Sequence, residues 1–354
     1  MPMSKFWTRA VKRTEPYVPG EQMNDPDVVK LNTNENPYPP SPKAIEAMKR
    51  AAGGVMQKYP SPTADTLREA IAQTNGVKKE QVFVGNGSDE VLAFAFYAFF
   101  EEGEVIRFPA ISYSFYPVYS KLFNIPFEEV PMNEDFTLQV ERFFNAEGGV
   151  IFPNPNAPTS LYLPLEQIEQ ILQANENKVV IVDEAYIDYA EAPSAVTLID
   201  QYPNLLVVQT TSKSRALAGL RVGFAMGQEH LIEALVRMKD SFNSYTLDRI
   251  ALSGATEAFL DTSYFEEKKE AVLQTRAQTI QEMEKRGFSV LPSAANFIFA
   301  THEEKDAEQL YEQLRKRKVL VRYFHDPRID QYLRITIGTD EEMEQFFRHL
   351  DELI

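Results

Sequence analysis

The chain has 354 residues, a net charge of −16 at neutral pH and no cysteine. That acidity argues against a surface built for nucleic acid or anionic membrane, and without cysteine there are no disulfides, thiolate metal sites or thiol nucleophiles. The length points to a large core joined by a smaller lobe.

From the N-terminus, MPMSKFWTRAVKRTEPY carries basic residues without the apolar run of a secretory signal, so a cytoplasmic location is expected. The proline-rich stretch ending in LNTNENPYPPSP reads as an extended arm and loop. PSPKAIEAMKRAA then opens a helix at a Ser-Pro cap. TADTLREAIAQTNG is helical and stops at Asn-Gly. QVFVGNGSDE is a strand running into a glycine-rich turn, and SDEVLAFAFYAFF is a helix with acids in its first turn. The apolar run VLAFAFYAFF is too short to span a bilayer and reads as a buried helix.

GEVIRFPA, PFEEVPM, GGVIFPNPNAP, KVVIVDEAY and NLLVVQTTSK follow as strands. Several are continuous apolar runs, the pattern of strands covered on both faces. Their alternation with helices predicts an α/β fold: a large domain with a mostly parallel, seven-stranded type of sheet covered by helices. Beyond residue 245 come long charged helices, then the strands FSVLPSAANFIFATH, KVLVRYF and YLRITIGT beside two more helices, a smaller α+β C-terminal domain. The expected divisions are an arm at 1–30 packed on the small domain, a large domain at 31–245 and the small domain at 246–354.

Ligands of such sheets bind beyond the carboxyl ends of the strands, which is where GNGSDE, NPNAP, DEAY and TTSK fall. A lysine ending a buried strand is costly without a partner. Lys213 nevertheless follows the run LLVVQ, flanked by Thr210, Thr211, Ser212 and Ser214, with Arg221 eight residues on. The lysine suits a nucleophile that condenses with an aldehyde. Asp183, ending KVVIVD, suits the protonated ring nitrogen of pyridoxal phosphate. Gly87-Ser88-Asp89 offers backbone N–H groups to a phosphate at a helix start, with Thr210, Ser212 and Arg221 completing the cup. Tyr113 is placed to cover a ring face and Tyr186 to bond the ring oxygen. Each feature alone also suits an ordinary strand end or capped helix, and it is their order within one α/β pattern that joins them. The four histidines lack ligand spacing, so no metal site is expected.

From LNTNENPYPPSP through KYPSPTADTLREAIA, GNGSDE, ISYSFYPVY, NPNAPTS, VDEAY and TTSKSRALAGLRVGF to YLRITIGT, the sequence resembles the fold-type-I pyridoxal-phosphate aminotransferases, and among them the histidinol-phosphate aminotransferase branch. The resemblance implies Lys213 as the Schiff-base lysine and proton shuttle, Asp183 on the pyridine nitrogen and Tyr186 on the phenolic oxygen. Ser88, Asp89 (through its backbone N–H), Thr210, Ser212 and Arg221 would hold the phosphate, with Tyr113 stacked on the ring. Tyr59, in KYP, would reach the phosphate of the neighbouring subunit, implying a homodimer with shared sites. One departure stands out: where the family reads NPNNPTG this chain has NPNAPTS. Ala157 occupies the place of an asparagine facing the ring oxygen, leaving Asn156 or Tyr186 to make that bond. Arg334 leaves the apolar face of YLRITIGT, and Arg322 sits similarly in KVLVRYF. The branch implies that this pair takes the substrate phosphate, with Tyr17 and Asn34 at the pocket edge. The implied activity moves an amino group between L-histidinol phosphate, the small-molecule amine donor, and the 2-oxo acid 2-oxoglutarate in histidine synthesis. An aromatic amino-acid aminotransferase and a phosphothreonine-type decarboxylase of the same fold are the alternatives.

Overall fold

The computed structural model describes residues 4–354 apart from positions 18, 19, 24, 26 and 54. Strand β1 is Val29–Lys30. Seven strands follow: β2 (Val82–Gly85), β3 (Ile106–Pro109), β4 (Phe127–Val130), β5 (Val150–Pro153), β6 (Val180–Asp183), β7 (Leu205–Thr210) and β8 (Gly223–Gly227). They form one sheet in the order β2-β8-β7-β6-β5-β3-β4, in which only β8 runs antiparallel to its neighbours. The continuous apolar strands are indeed buried along their whole length.

Side chains alternate between the two faces of this sheet. Val150, Val180, Val182 and Val207 enter one apolar cluster, shared with helices Asp65–Asn75 and Leu165–Gln173. Ile151, Ile181, Leu206 and Val208 enter the other, under helices Gly87–Phe99, Tyr116–Phe123 and Glu229–Phe242. Asp183 continues the parity of Ile181, so it emerges on the face that carries Tyr116. That parity matters for the site.

A second sheet is antiparallel throughout: β9 (Phe288–Val290), β10 (Phe297–His302), β12 (Arg322–Tyr323) and β13 (Tyr332–Thr336), in the order β12-β13-β10-β9. β11 (Val319–Leu320) pairs in parallel with β1. Helices Thr262–Lys285, Ala307–Lys316 and Asp340–Asp351 close a third cluster over it, with Val272, Leu314 and Phe346 buried. The last helix starts at Thr339, whose capping box with Glu342 pairs two backbone N–H groups that the helix itself leaves free.

Two elements sit elsewhere than the sequence texture implies. Helix Arg249–Leu260 lies past residue 245, yet Ala251, Ala255 and Phe259 join the core under the seven-stranded sheet. Gly254 allows this approach, because a Cβ there would meet Met48 Cγ at 2.6 Å. The N-terminal arm is also split. Arg13 donates from Nε and Nη2 to the carbonyls of Lys121 and Leu122 at 2.7 and 2.9 Å, in the last turn of helix Tyr116–Phe123 where carbonyls lack a full set of helical partners. The later part of the arm joins the C-terminal elements instead, pairing with β11 through β1 and with helix Ala307–Lys316 through the Glu21–Arg315 ion pair at 2.6 Å. Among the described residues, no helix is long and apolar enough to cross a membrane.

Candidate active site

The polar groups gather at the carboxyl ends of β6 and β7 and at the start of helix Gly87–Phe99. Asp183 is buried, and its Oδ2 accepts a hydrogen bond from the Tyr116 hydroxyl at 3.0 Å. Its Oδ1 is equally buried and has no partner. Burial pushes this carboxyl up to about 7; the Tyr116 bond and the Ala185 backbone N–H oppose the shift and the Asp89 charge adds to it. The adjacent Glu184 is pushed up to about 7 by burial as well, but both its oxygens are occupied by Ser194, the Ala195 N–H and Gln209. Of the two acids, only Asp183 keeps an oxygen free for a ligand.

Lys213 Nζ donates to the Thr33 carbonyl at 3.1 Å and stands 5.7 Å from the centre of the Tyr186 ring. The Tyr186 hydroxyl accepts from Asn34 Nδ2 at 3.0 Å. On the other side, helix Gly87–Phe99 begins without a side-chain cap, leaving its first N–H groups available. Gly87 has φ +82°, and a Cβ there would come within 2.4 Å of Arg221 Nη2. At Gly223 a Cβ would lie 2.2 Å from the Ser88 nitrogen. Two glycines thus let Arg221 and the start of β8 close on the helix terminus. Arg221 also ion-pairs with Asp89 Oδ2 at 3.0 Å, while the Tyr113 hydroxyl donates to Asp89 Oδ1 at 2.8 Å. Asp89 therefore contributes its carboxylate as a bridge, a role beyond the backbone N–H expected of it. Thr210 Oγ1 donates to Ser212 Oγ at 3.0 Å.

Ser88, Asp183, Thr210, Ser212, Lys213 and Arg221 together line a cavity of about 190 Å³. A larger cavity of about 500 Å³ adjoins it and shares Thr33, Tyr113, Ala157, Tyr186 and Lys213. Tyr17, Asn34, Arg322 and Arg334 are on its wall. Arg322 and Arg334 face each other across β12 and β13. Arg334 donates from Nη2 to the Asn32 carbonyl at 2.8 Å, but its buried Nε has no partner. Burial, reinforced by the neighbouring Arg322 charge, lowers the pKa of Arg334. Among the described residues no carboxylate ion-pairs with either arginine.

Asn156 is not brought to the site, and Tyr59, expected at a neighbouring subunit's phosphate, lies away from the cavities of its own chain. Asn156 turns its Nδ2 to the Ile111 carbonyl at 3.1 Å and to Thr159 Oγ1 at 2.8 Å, on a separate cavity. Its neighbour Ala157 lines both halves of the site instead, as does Tyr186, while the Asn156 amide N–H groups are engaged elsewhere. Tyr59 is 78% exposed, stacked on Tyr245 with ring centres 4.6 Å apart, outside both cavities of its own chain.

Other residues matter that the sequence did not single out. Tyr116 was hidden in the aromatic run SYSFYPVY. The stretch Leu31–Asn36 laces the whole site together. The Leu31 carbonyl accepts from Thr336 N at 3.0 Å, that of Asn32 from Arg334, and that of Thr33 from Lys213. Asn34 bonds both Tyr186 and Thr336, and Asn36 Nδ2 donates to the Lys213 carbonyl at 3.0 Å.

The class I and II aminotransferase family model matches residues 26–350. The chain belongs to that family. Among its relatives, a histidinol-phosphate aminotransferase of Oceanobacillus iheyensis is 53% identical over 352 residues, covering 99% of both chains. One from Clostridium botulinum, strain Langeland, is 54% identical over 352 residues, with the same coverage. A solved histidinol-phosphate aminotransferase from Clostridium acetobutylicum superimposes with TM-score 0.84 at 24% identity, covering 91% of this chain and 98% of that one. The one from Sinorhizobium meliloti, solved with pyridoxal-5'-phosphate, gives 0.87 at 23%, covering 99% and 98%. At these identities the solved structures speak for the fold.

The aminotransferases of this family depend on pyridoxal phosphate, and the residues of this one fit that cofactor. The orphaned Oδ1 of Asp183 suits a ring N–H, the Lys213 amine suits the aldehyde, and the space that a Cβ on Gly87 would fill lies beside Arg221 at a helix N-terminus, where a phosphate is favoured.

Proposed function

We propose that this aminotransferase moves the amino group between L-histidinol phosphate and 2-oxoglutarate, the reaction its relatives are named for. The observation that carries the reading is the pair Arg322 and Arg334, two guanidinium groups opposite each other on the wall of the cavity that reaches Lys213. Neither is neutralised by an acid, although the chain as a whole carries −16. A phosphate ester dianion offers the two-pronged acceptor that such a pair binds best.

Pyridoxal phosphate, when bound, supplies an aldehyde for the amino group and a ring that draws electron density from the substrate's α carbon. The protein does the rest. Asp183 would hold a proton on the ring nitrogen by charge pairing. Tyr186, fixed by Asn34, would serve the ring oxygen, and Tyr113, fixed by Asp89, would cover the ring. Ser88, Thr210, Ser212 and Arg221 would anchor the phosphate. Lys213 Nζ takes the proton from the substrate α carbon as a base and returns it as an acid. The arginine pair orients the amine so that the α C–H, rather than another bond, faces that nitrogen.

The reading includes a homodimer in the cytoplasm. The exposure of Tyr59 and of the neighbouring Val55 and Met56 supports a second copy covering this surface, with Tyr59 completing the partner's phosphate cup. The test is a panel of amine donors, L-histidinol phosphate, L-histidinol and L-phenylalanine, each with and without 2-oxoglutarate. Preferential, 2-oxo-acid-dependent turnover of the phosphorylated amine is expected. Preference for phenylalanine, or release of carbon dioxide without the 2-oxo acid, would overturn the assignment.

A further inference from the structure

We infer that Tyr116 is a positioning residue for the ring-nitrogen end of the site: its hydroxyl pins one oxygen of Asp183 so that the other is presented to the cofactor. The inference rests on reading Asp183 as the partner of that nitrogen.

A carboxylate turns easily about its terminal bond, and its two oxygens are equivalent. Something must therefore decide which one faces the cavity. Here the Tyr116 hydroxyl lies 3.0 Å from Oδ2, while Oδ1 is buried without a partner, and Asp183 is part of the cavity lining. The phenol cannot swing away. Tyr116 is fully buried at the start of helix Tyr116–Phe123, with the rings of Phe108 and Tyr113 at 5.7 Å and Phe96 at 6.4 Å. Burial beside a carboxylate pushes its ionisation well up, so it remains neutral and donates.

The arrangement has a second half. Tyr113, one helical turn before Tyr116, donates to Asp89. Two tyrosines on one short segment thus tie down the carboxylates at the phosphate end and at the nitrogen end. Without the Tyr116 hydroxyl, no side-chain donor among the described residues would hold either Asp183 oxygen until the ring arrives. The acid would then keep a proton or turn, and either change weakens a charged pair with the ring N–H.

The test measures binding of pyridoxal phosphate and of its 1-deaza analogue, which has a carbon in place of the ring nitrogen, to the cofactor-stripped full-length protein. The wild type is expected to prefer the true cofactor. In Tyr116→Phe that preference should fall roughly tenfold, the size of one hydrogen bond to a charged group, with affinity for the analogue unchanged. Tyr116→His, which keeps an N–H donor, should retain most of the preference, and it serves as the readout should the phenylalanine variant fold poorly. An undiminished preference in Tyr116→Phe, equal weakening of both ligands, or a histidine variant that folds yet loses the preference would each overturn the inference. Absence of any preference in the wild type would instead overturn the reading of Asp183.

Discussion

Replacing Arg334 with glutamine tests the substrate end of the site. The guanidinium has one settled bond, from Nη2 to the Asn32 carbonyl, and a buried Nε with nothing to donate to. A phosphate therefore gains at least one charge-assisted bond from Arg334, worth about 1.5–3 kcal/mol, or roughly 10- to 150-fold in rate constant per concentration. The assay is the amine half-reaction alone, followed as bleaching of the yellow holoenzyme, which keeps 2-oxoglutarate out of the measurement. With L-histidinol phosphate the apparent kcat/KM should drop by that factor; with L-histidinol it should change by less than about threefold. Arg334→Lys, which keeps the charge but loses the planar fork, should fall between. A melting curve is needed beside it, because the guanidinium lies 5.3 Å from the Phe297 ring and 5.7 Å from that of Phe324, so some packing is lost too. Equal losses on the two amines would refute phosphate recognition by this residue.

Three further predictions concern the cofactor end. Asp183→Asn should reduce turnover by on the order of 10²–10³-fold, as expected for a broken buried charge pair, while aldehyde capture by Lys213 persists in the absorbance spectrum; near-normal turnover would sink the assignment. The same residue sets a pH signature in the cofactor-free protein. Its folded value of about 7 lies above the 3.8 of a free aspartate, so the native state holds the extra proton. Stability is then lost as pH rises from about 4 through 7, by at most about 4 kcal/mol. Melting temperatures at pH 5 and pH 8 should show this fall, smaller in Asp183→Asn, where only the part due to Glu184 remains. Gly87→Ala places a methyl 2.4 Å from Arg221 Nη2 on a backbone at φ +82°. It should weaken cofactor binding by roughly 10- to 100-fold, and an unchanged dissociation constant by fluorescence titration would contradict the placement of the phosphate.

Much of this architecture is readable from local pattern. β5, β6 and β7 declare themselves as unbroken apolar runs, and Asp183 and Lys213 stand where those runs turn polar. What local pattern does not carry is which way a loop side chain turns. Asn156 and Ala157 are neighbours, and the asparagine is turned out of the site by the Thr159 hydroxyl together with the Ile111 carbonyl, 45 residues away. Tyr116 and Asp183 are separated by 67 positions, so a contact that organises the site leaves no mark in either motif. Helix Arg249–Leu260 illustrates the same limit of local pattern: its alanine-rich face packs on helix Pro42–Ala51, a partner about two hundred residues upstream.

The carbonyls of Asn32 and Thr33 belong to consecutive residues, yet one steadies the arginine that greets the substrate and the other restrains the amine that performs the chemistry. Any engineering that nudges this strip to admit a different amine will also disturb the base. Broadening selectivity here should begin on the far wall, around Tyr17 and Phe324, where no such tether runs back to Lys213.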